Sequence, residues 1–287
     1  MVGPVVKSAI RHGLSWLGLE IRRRRPHQGV AGVEDLDLAH VLAILFRCAD
    51  DLTFVQVGAN DGVQNDPLYP YLERSDPRGI LIEPQTIPFR RLQARYGQRE
   101  RLTLLQAAID RKAGSRILYR CREGLIGGAA AGFLSGLASF DRNQVAKAYL
   151  RHARRLGLAC PPEQAIVGEA VATLTLDGVL RDFGFDRCDL LVIDTEGHDY
   201  ETIRTIDFSR IRPTVLIYEH RHLDRAGRLA CWHLLQANGY RCAANWSNTL
   251  ALLDGPAWRS AGAASRTSLR PAAAGTDHRV MAEGSYA

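Results

Sequence analysis

Four short apolar runs, each closed by a glycine or an acid, constrain this chain more than any other feature. They are Leu52–Val57 (LTFVQV) before Gly58, Gly79–Ile82 (GILI) before Glu83, Leu190–Ile193 (LLVI) before Asp194, and Thr214–Tyr218 (TVLIY) before Glu219. Short, nearly continuous apolar runs are what strands covered on both faces require. Between and around them lie helical stretches: Phe89–Tyr96, Gln144–Leu156, Thr175–Phe183, Tyr200–Ile206 and Arg228–Asn238, the last stopped by Gly239. Asp66 followed by Pro67 reads as the N-cap and first position of a further short helix. Leu102–Ile109 reads as a third strand, Arg116–Cys121 as another, and Tyr240–Ala244 with Thr249–Leu253 as a terminal antiparallel hairpin. Such alternation predicts an α/β fold, a mostly parallel sheet with helices on both faces and a ligand site at the carboxyl ends of the strands.

Charge divides the chain into three parts. The formal charge is +6, but residues 1–30 carry +5 and residues 256–287 carry +2, which leaves −1 for the 31–255 body. A nearly neutral body argues against nucleic acid as a partner, because phosphate binding needs a basic face on the folded domain. In the leader, Val6, Ile10, Leu14, Leu17 and Ile21 recur at helical spacing ahead of Arg22–Arg25. Charges after the apolar residues are in the wrong order for a secretory signal. Two readings stay open: a solvated helix packed on the domain or a partner, and an amphipathic helix over residues 5–25 on an anionic membrane surface. The expected location is cytoplasmic, at the inner face of the membrane if the leader binds lipid. Residues 256–287, rich in Ala, Ser, Arg and Gly without periodicity, read as a disordered tail, and about 122–143 as a Gly-rich insert. The six cysteines lie at least eleven positions apart and form no CxxC, so neither a zinc cluster nor a redox pair is expected.

The polar residues cluster at the strand ends. Gly58-Ala59-Asn60-Asp61-Gly62 follows the first run; its third position is Asn60, so it is no GxGxxG fingerprint. Glu83-Pro84 closes the second run, where a carboxylate can accept hydrogen bonds from both hydroxyls of a ribose. Asp194-Thr195-Glu196-Gly197-His198-Asp199 and Glu219-His220-Arg221-His222 close the next two. Asp199 and Glu201 are explained as acids in a first helical turn, whereas Asp194 and Glu196 lie before the helix. Adjacent strands would bring Asp194, Glu196, Glu219 and His220 to one region. That group could deprotonate a hydroxyl, or hold Mg²⁺ or Mn²⁺ through Asp194, Glu196 and Glu219. His198, Glu219 and Arg221 are candidate acceptor contacts.

In order and spacing, VQVGANDG, ILIEP, Leu176-Asp177, VIDTEGHDYETI and LIYEH resemble the FkbM family of S-adenosylmethionine-dependent methyltransferases over roughly residues 50–253. The resemblance implies a Rossmann-like class I fold with a seven-stranded sheet, S-adenosylmethionine as cofactor, and O-methylation of a sugar, glycolipid, polysaccharide or other secondary-metabolite hydroxyl. It implies cofactor contacts from Gly58, Ala59, Asn60, Asp61, Gly62, Glu83, Pro84 and Ala108. Asp194 and Glu196 would lie near the methyl group, with His220 as a further catalytic residue. Many relatives carry an acid where this chain has Gln56, so the contact to the cofactor's amino group is expected to weaken or pass through water. Two alternatives compete: a glycosyltransferase using Asp194-Thr195-Glu196 to hold a metal-bound diphosphate, and a non-catalytic docking module.

Overall fold

The computed structural model of the protein describes residues 38–48, 51–122, 124–125 and 136–254. The expected leader and tail, and most of the Gly-rich insert, lie outside the described residues. The chain runs through α1 (Leu38–Cys48), β1 (Thr53–Val57), α2 (Tyr69–Leu72), β2 (Arg78–Ile82), α3 (Thr86–Tyr96), β3 (Leu102–Leu105) and β4 (Ala108–Ile109). It continues through β5 (Gly114–Cys121), β6 (Ala138–Ser139), α4 (Arg142–Leu156), α5 (Pro162–Ala165), β7 (Ile166–Leu174) and α6 (Leu176–Asp182). Last come β8 (Leu190–Ile193), α7 (Asp199–Ile203), β9 (Val215–Glu219), α8 (Arg225–Ala237), β10 (Tyr240–Ala244) and β11 (Asn248–Leu253).

Seven strands form one sheet in the order β3-β2-β1-β8-β9-β11-β10. β3 to β9 in that order are parallel, and β11 runs antiparallel to both β9 and β10. This is the expected Rossmann-like methyltransferase sheet with its terminal hairpin. The chain moves outward from β1 to β3 and then returns to β8 on the other side, so the crevice beyond the ends of β1 and β8 is the switch point where α/β sheets bind ligands. No described helix is long and apolar enough to cross a membrane.

Period-two alternation sorts the parallel strands onto two covered faces. Phe54, Leu81, Leu190, Val192, Val215 and Ile217 pack under α1, α2 and α3 with Leu42, Leu72, Leu92 and Tyr96. Val55, Val57, Ile80, Ile82, Leu191, Ile193, Leu216 and Tyr218 pack under α6, α7 and α8 with Leu180, Ile203 and Leu235. Full burial of one such side chain contributes about 1.5–3 kcal/mol, which explains runs with no polar face to spare. Helix limits are set locally. Thr175 and Asp224 cap α6 and α8 by accepting from Gly178 N and Gly227 N. Asp141 caps α4 through Asn143 N, and Gly157 closes it in the left-handed conformation.

One strand expectation is corrected, one is met and one strand goes beyond what was expected. Leu102–Ile109 is two strands, because the chain leaves the main sheet after Leu105 and enters a second sheet of order β4-β7-β5-β6. Arg116–Cys121 belongs to that second sheet, as part of β5. β7 was not expected from the sequence; Gly168 and Glu169 interrupt its apolar pattern, and only Ile166, Val171 and Thr173 are buried. α4 and α5 cover the second sheet through Val145, Tyr149 and Ala165 against Cys121 and Ile166. The short helix after β1 begins at Tyr69 rather than Pro67, while Asp66 Oδ1 accepts Leu68 N–H at 2.8 Å just ahead of it.

Candidate active site

The end of β1 is clamped from both sides. Gly58 N and Ala59 N donate to Ile82 O at 2.9 and 3.0 Å, and Asp194 N donates to Val57 O at 2.9 Å. Gly58 has φ +85°, and a Cβ there would lie 1.8 Å from the carbonyl oxygen of Asp194. Only glycine fits so close an approach. Asn60 and Gly62 are also left-handed, so the turn folds tightly across the sheet edge. Asp61 serves the turn itself, with Oδ1 accepting Val63 N–H and Gln64 N–H.

Glu83 is 3 % exposed and is held by two backbone donors, Asn60 N to Oε2 and Gln85 N to Oε1, both at 2.9 Å. Burial pushes its carboxyl up to about 7, ahead of the two hydrogen bonds that draw it down. Each oxygen keeps acceptor capacity, so a pair of hydroxyls would satisfy the group. The glycine turn and Glu83 thus suit a nucleoside cofactor. Pro84 is half-buried beside Glu83 and Ala59 is buried in the turn, whereas Ala108 sits in the second sheet, packed with Leu118 and Val171.

Sheet register brings the other acids together. Val192 pairs with Ile217, so Asp194 and Glu219 follow on the same face, with Gln56 opposite Val192 on the neighbouring strand β1. Asp194 is exposed, yet the protein packed around its carboxyl desolvates it and pushes it up to about 6. Glu196 has φ +50°, and Gln144 Nε2 donates to its carbonyl oxygen. Its Oε2 lies 3.1 Å from His222 Nε2, and Glu219 Oε2 lies 3.3 Å from the same nitrogen. Burial, then Asp194 and Asp199, push Glu196 to about 8, and burial, then Asp194, Glu196 and Asp199, push Glu219 to about 10. Burial, then Arg221, Arg151 and Arg228, lower His222 to about 4, so its ring is neutral near pH 7. One ligand atom from each of Glu196, Glu219 and His222 lies within 4.8 Å of the others, so this trio, rather than Asp194 with the two glutamates, is where a cation would sit.

The imidazole of the cluster is therefore that of His222, and the expectation for His220 is corrected. His220 follows Tyr218 on the opposite face of β9, and its Nδ1 meets Thr249 Oγ1 at 2.9 Å. Asp199, read from the sequence as a helix-dipole residue, is fully buried and ties the loop together: Oδ2 accepts from Thr195 Oγ1 and Gly197 N, and Oδ1 from Glu219 N. His198 turns to the second sheet, with Nε2 3.3 Å from Asp110 Oδ1, while Arg116 donates to the other oxygen of Asp110 and stacks over Phe140. These residues, with Ser139, Gln144, Gly197 and Glu201, line a cavity of about 510 Å³ beside the Glu196 loop. Arg221 packs over the exposed Trp246 ring and is the cation that draws down Asp194, Glu196 and Glu219.

Several solved structures are similar to this chain at low identity. A methyltransferase FkbM from Methylobacillus flagellatus KT is 16 % identical, with 71 % of this chain and 44 % of that chain covered and a TM-score of 0.41. This chain thus spans under half the length of that protein. A precorrin-6y C5,15-methyltransferase from Geobacter metallireducens GS-15 is 11 % identical, with 78 % and 92 % covered and a TM-score of 0.36. A methyltransferase from Geobacter sulfurreducens is 12 % identical, with 88 % and 90 % covered and a TM-score of 0.37. No curated protein sequence matches the chain. The family comparison reaches further, because residues 56–242 match the methyltransferase FkbM domain from Gln56, ahead of the glycine turn, to Cys242 in the outer hairpin. With well over half of its length matched, the chain belongs to the FkbM methyltransferase family.

Proposed function

We propose that this methyltransferase uses S-adenosylmethionine to methylate a hydroxyl of a sugar, a glycan or another polyhydroxylated small molecule. The observation that carries the reading is the excess of desolvated carboxyls beside the glycine turn. Asp194, Glu196, Asp199 and Glu219 all face upward shifts, with Arg221 as the cation opposing three of them. A cationic cofactor supplies the charge this site lacks. When bound, it brings a methyl group activated by a sulfonium centre. Gly58, Asn60 and Gly62 would receive its amino-acid side and Glu83 its ribose.

The protein's own tasks are alignment and removal of the acceptor proton. Rigid alignment by strand ends can be worth about 7–11 kcal/mol of barrier. Glu196 is the base in this reading. It is the more accessible member of the trio, with 28 % side-chain exposure against 12 % for Glu219, and a carboxyl raised to about 8 is well matched to proton transfer near neutral pH. Neutral His222 packs its Nε2 against both glutamates, 3.1 Å from Glu196 Oε2 and 3.3 Å from Glu219 Oε2. No metal is needed, because the base is present and further cations would crowd a cationic cofactor. The cavity with its carboxylates, guanidinium groups and Phe140 suits an acceptor bearing several hydroxyls. Membership of a methyltransferase family leaves no call for the glycosyltransferase alternative, and Thr195 Oγ1 is in any case engaged by Asp199.

Thermal denaturation with S-adenosylhomocysteine tests the cofactor, and transfer of labelled methyl from S-adenosylmethionine to panels of glycans and polyols tests the reaction. The label should survive alkali, since an ether resists hydrolysis and a methyl ester does not. Alkali-labile product would replace the hydroxyl acceptor by a carboxylate.

A further inference from the structure

Arginines from α4 and from the β9–α8 connection gather beside the acidic loop without ion-pair partners. Gln144, Arg151 and Arg155 lie seven and then four residues apart, so they share one face of α4. Gln144 lines the 510 Å³ cavity and donates to the Glu196 carbonyl, which fixes that face against the loop. At about 1.5 Å of rise per residue, Arg151 lies about 10 Å along the helix from Gln144. From the other side, Arg221 lies 5.4 Å over the Trp246 ring, and Arg228 donates to Leu223 O at 2.9 Å and Arg221 O at 3.1 Å. Burial, then Arg221, Arg151 and Arg228, lowers His222; burial, then Arg151, Arg155 and Arg221, lowers His152. Charges from both sides thus act on both rings.

Among the described residues, none of these four arginines makes an ion pair. Like charges held close without counter-ions repel, and Arg221 and Arg228 are held by contacts of their own. The patch is open to a ligand: Arg151, Arg155 and Arg228 are exposed, and Trp246 is 57 % exposed. A carboxylate brings one charge and forks with one guanidinium. A phosphate ester or diphosphate brings about two charges and several acceptor oxygens, which suits several planar guanidinium groups. A lipid surface fits less well. Leu150 and Leu229 are exposed, but each lies about 100° around its helix from the neighbouring Arg151 or Arg228, so they do not extend the patch.

We propose that the acceptor is a phosphate-linked glycan, its sugar in the cavity and its phosphate or diphosphate held by Arg151, Arg155, Arg221 and Arg228. The Trp246 ring supports the Arg221 guanidinium, and α4 spans the two parts of the site. The inference deepens the hydroxyl-methylation reading above and rests on it for the reaction.

Calorimetry with inorganic pyrophosphate tests the subsite without an acceptor, and the full chain should bind it saturably. Arg151→Gln with Arg155→Gln should weaken that binding at least tenfold and leave S-adenosylhomocysteine affinity unchanged. Arg90→Gln with Arg91→Gln removes the same charge from exposed positions on α3 and should change pyrophosphate affinity less than twofold. No saturable binding by the wild type, or equal losses in the two double variants, overturns the subsite. Binding of phosphatidylglycerol vesicles through Arg151 and Arg155, by a protein that ignores pyrophosphate, would also overturn it and make the patch lipid-facing. In methyl transfer, glycosyl diphosphates should exceed the same sugars without phosphate at least tenfold in kcat/KM, and the Arg151→Gln, Arg155→Gln protein should lose most of that preference. Equal use of both acceptors overturns the proposal. Pyrophosphate binding that behaves as expected while every labelled product is alkali-labile would end the hydroxyl reading and uphold the anion subsite.

Discussion

Asp199 Oδ1 accepts the backbone N–H of Glu219 at 3.3 Å, so an acid in the first turn of α7 secures the end of β9. The same carboxylate takes Thr195 Oγ1 and Gly197 N, which fixes the loop that carries Asp194 and Glu196. Asp199→Ala should leave all three donors unpaired in a buried place and cost about 3 kcal/mol or more. Urea denaturation should show this as a lower midpoint. A variant as stable as the wild type would mean that the loop holds its shape without Asp199.

The raised carboxyls give stability an unusual slope with pH. Folding raises Glu196 from 4.5 to about 8 and Glu219 from 4.5 to about 10, so above their unfolded values the native state binds more protons than the unfolded one. Stability must then fall as pH rises, by up to about 1.4 kcal/mol per pH unit for each group still protonated only when folded. His222, lowered to about 4, acts in the opposite sense, but only below its unfolded value of 6.5. The clean window is therefore pH 7 to 9. The ligand-free protein should melt at progressively lower temperature across it, and Glu219→Gln should flatten the slope. A melting temperature that rises between pH 7 and 9 would contradict the assigned protonation of both glutamates.

Sheet and site differ in how openly the sequence displays them. β1, β2, β8 and β9 are covered on both faces, so their apolar runs stand out, and the acids that close them mark the mouth of the site. β7 buries only Ile166, Val171 and Thr173 and carries Gly168 and Glu169, so its pattern merges with that of a loop. His220 could have been set aside from alternation alone, since it shares a face with Tyr218 and not with Glu219. His222 could not have been chosen that way. The chain turns after Glu219, and only the turn brings its ring back to Glu196. Asp66 was read as a helix cap, yet the helix begins at Tyr69 and Asp66 only takes Leu68 N–H ahead of it, while its contact with Gln56 depends on where the turn after β1 returns.

Gly58→Ala tests the close approach of strand ends. The added methyl carbon would lie 1.8 Å from Asp194 O, and φ +85° strains any side-chain-bearing residue. The main chain must move, so the variant should lose several kcal/mol of stability and bind S-adenosylhomocysteine at least tenfold more weakly. Wild-type affinity in a stable Gly58→Ala protein would show that the turn has room to spare.

Glu83→Gln tests the ribose contact with little change in shape. Asn60 N and Gln85 N cannot both be satisfied by a carboxamide that presents one acceptor oxygen. Loss of a charged acceptor should weaken S-adenosylhomocysteine by about 1.5–3 kcal/mol in calorimetry. Adenine-nucleoside analogues lacking both ribose hydroxyls should bind the variant and the wild type alike. If those analogues also lose affinity, the effect comes from a disturbed turn and Glu83 makes no ribose contact.

The assignment of Glu196 as base makes a prediction about rate against pH. With its carboxyl raised to about 8, the fraction able to accept a proton grows as pH rises from 6 to 9, so turnover should climb through that range and level off. His222→Ala removes the ring between the two glutamates, leaves them to repel each other directly, and should shift the rising limb to higher pH. Glu196→Gln should cut turnover about 10²-fold or more and abolish the limb, while S-adenosylhomocysteine still binds. Chelator should change none of these profiles, because the proton passes to a carboxylate rather than to a metal-bound group. A rate that collapses with chelator and returns with Mn²⁺ would instead make Glu196, Glu219 and His222 ligands, with the pH limb then reporting deprotonation of a bound acceptor.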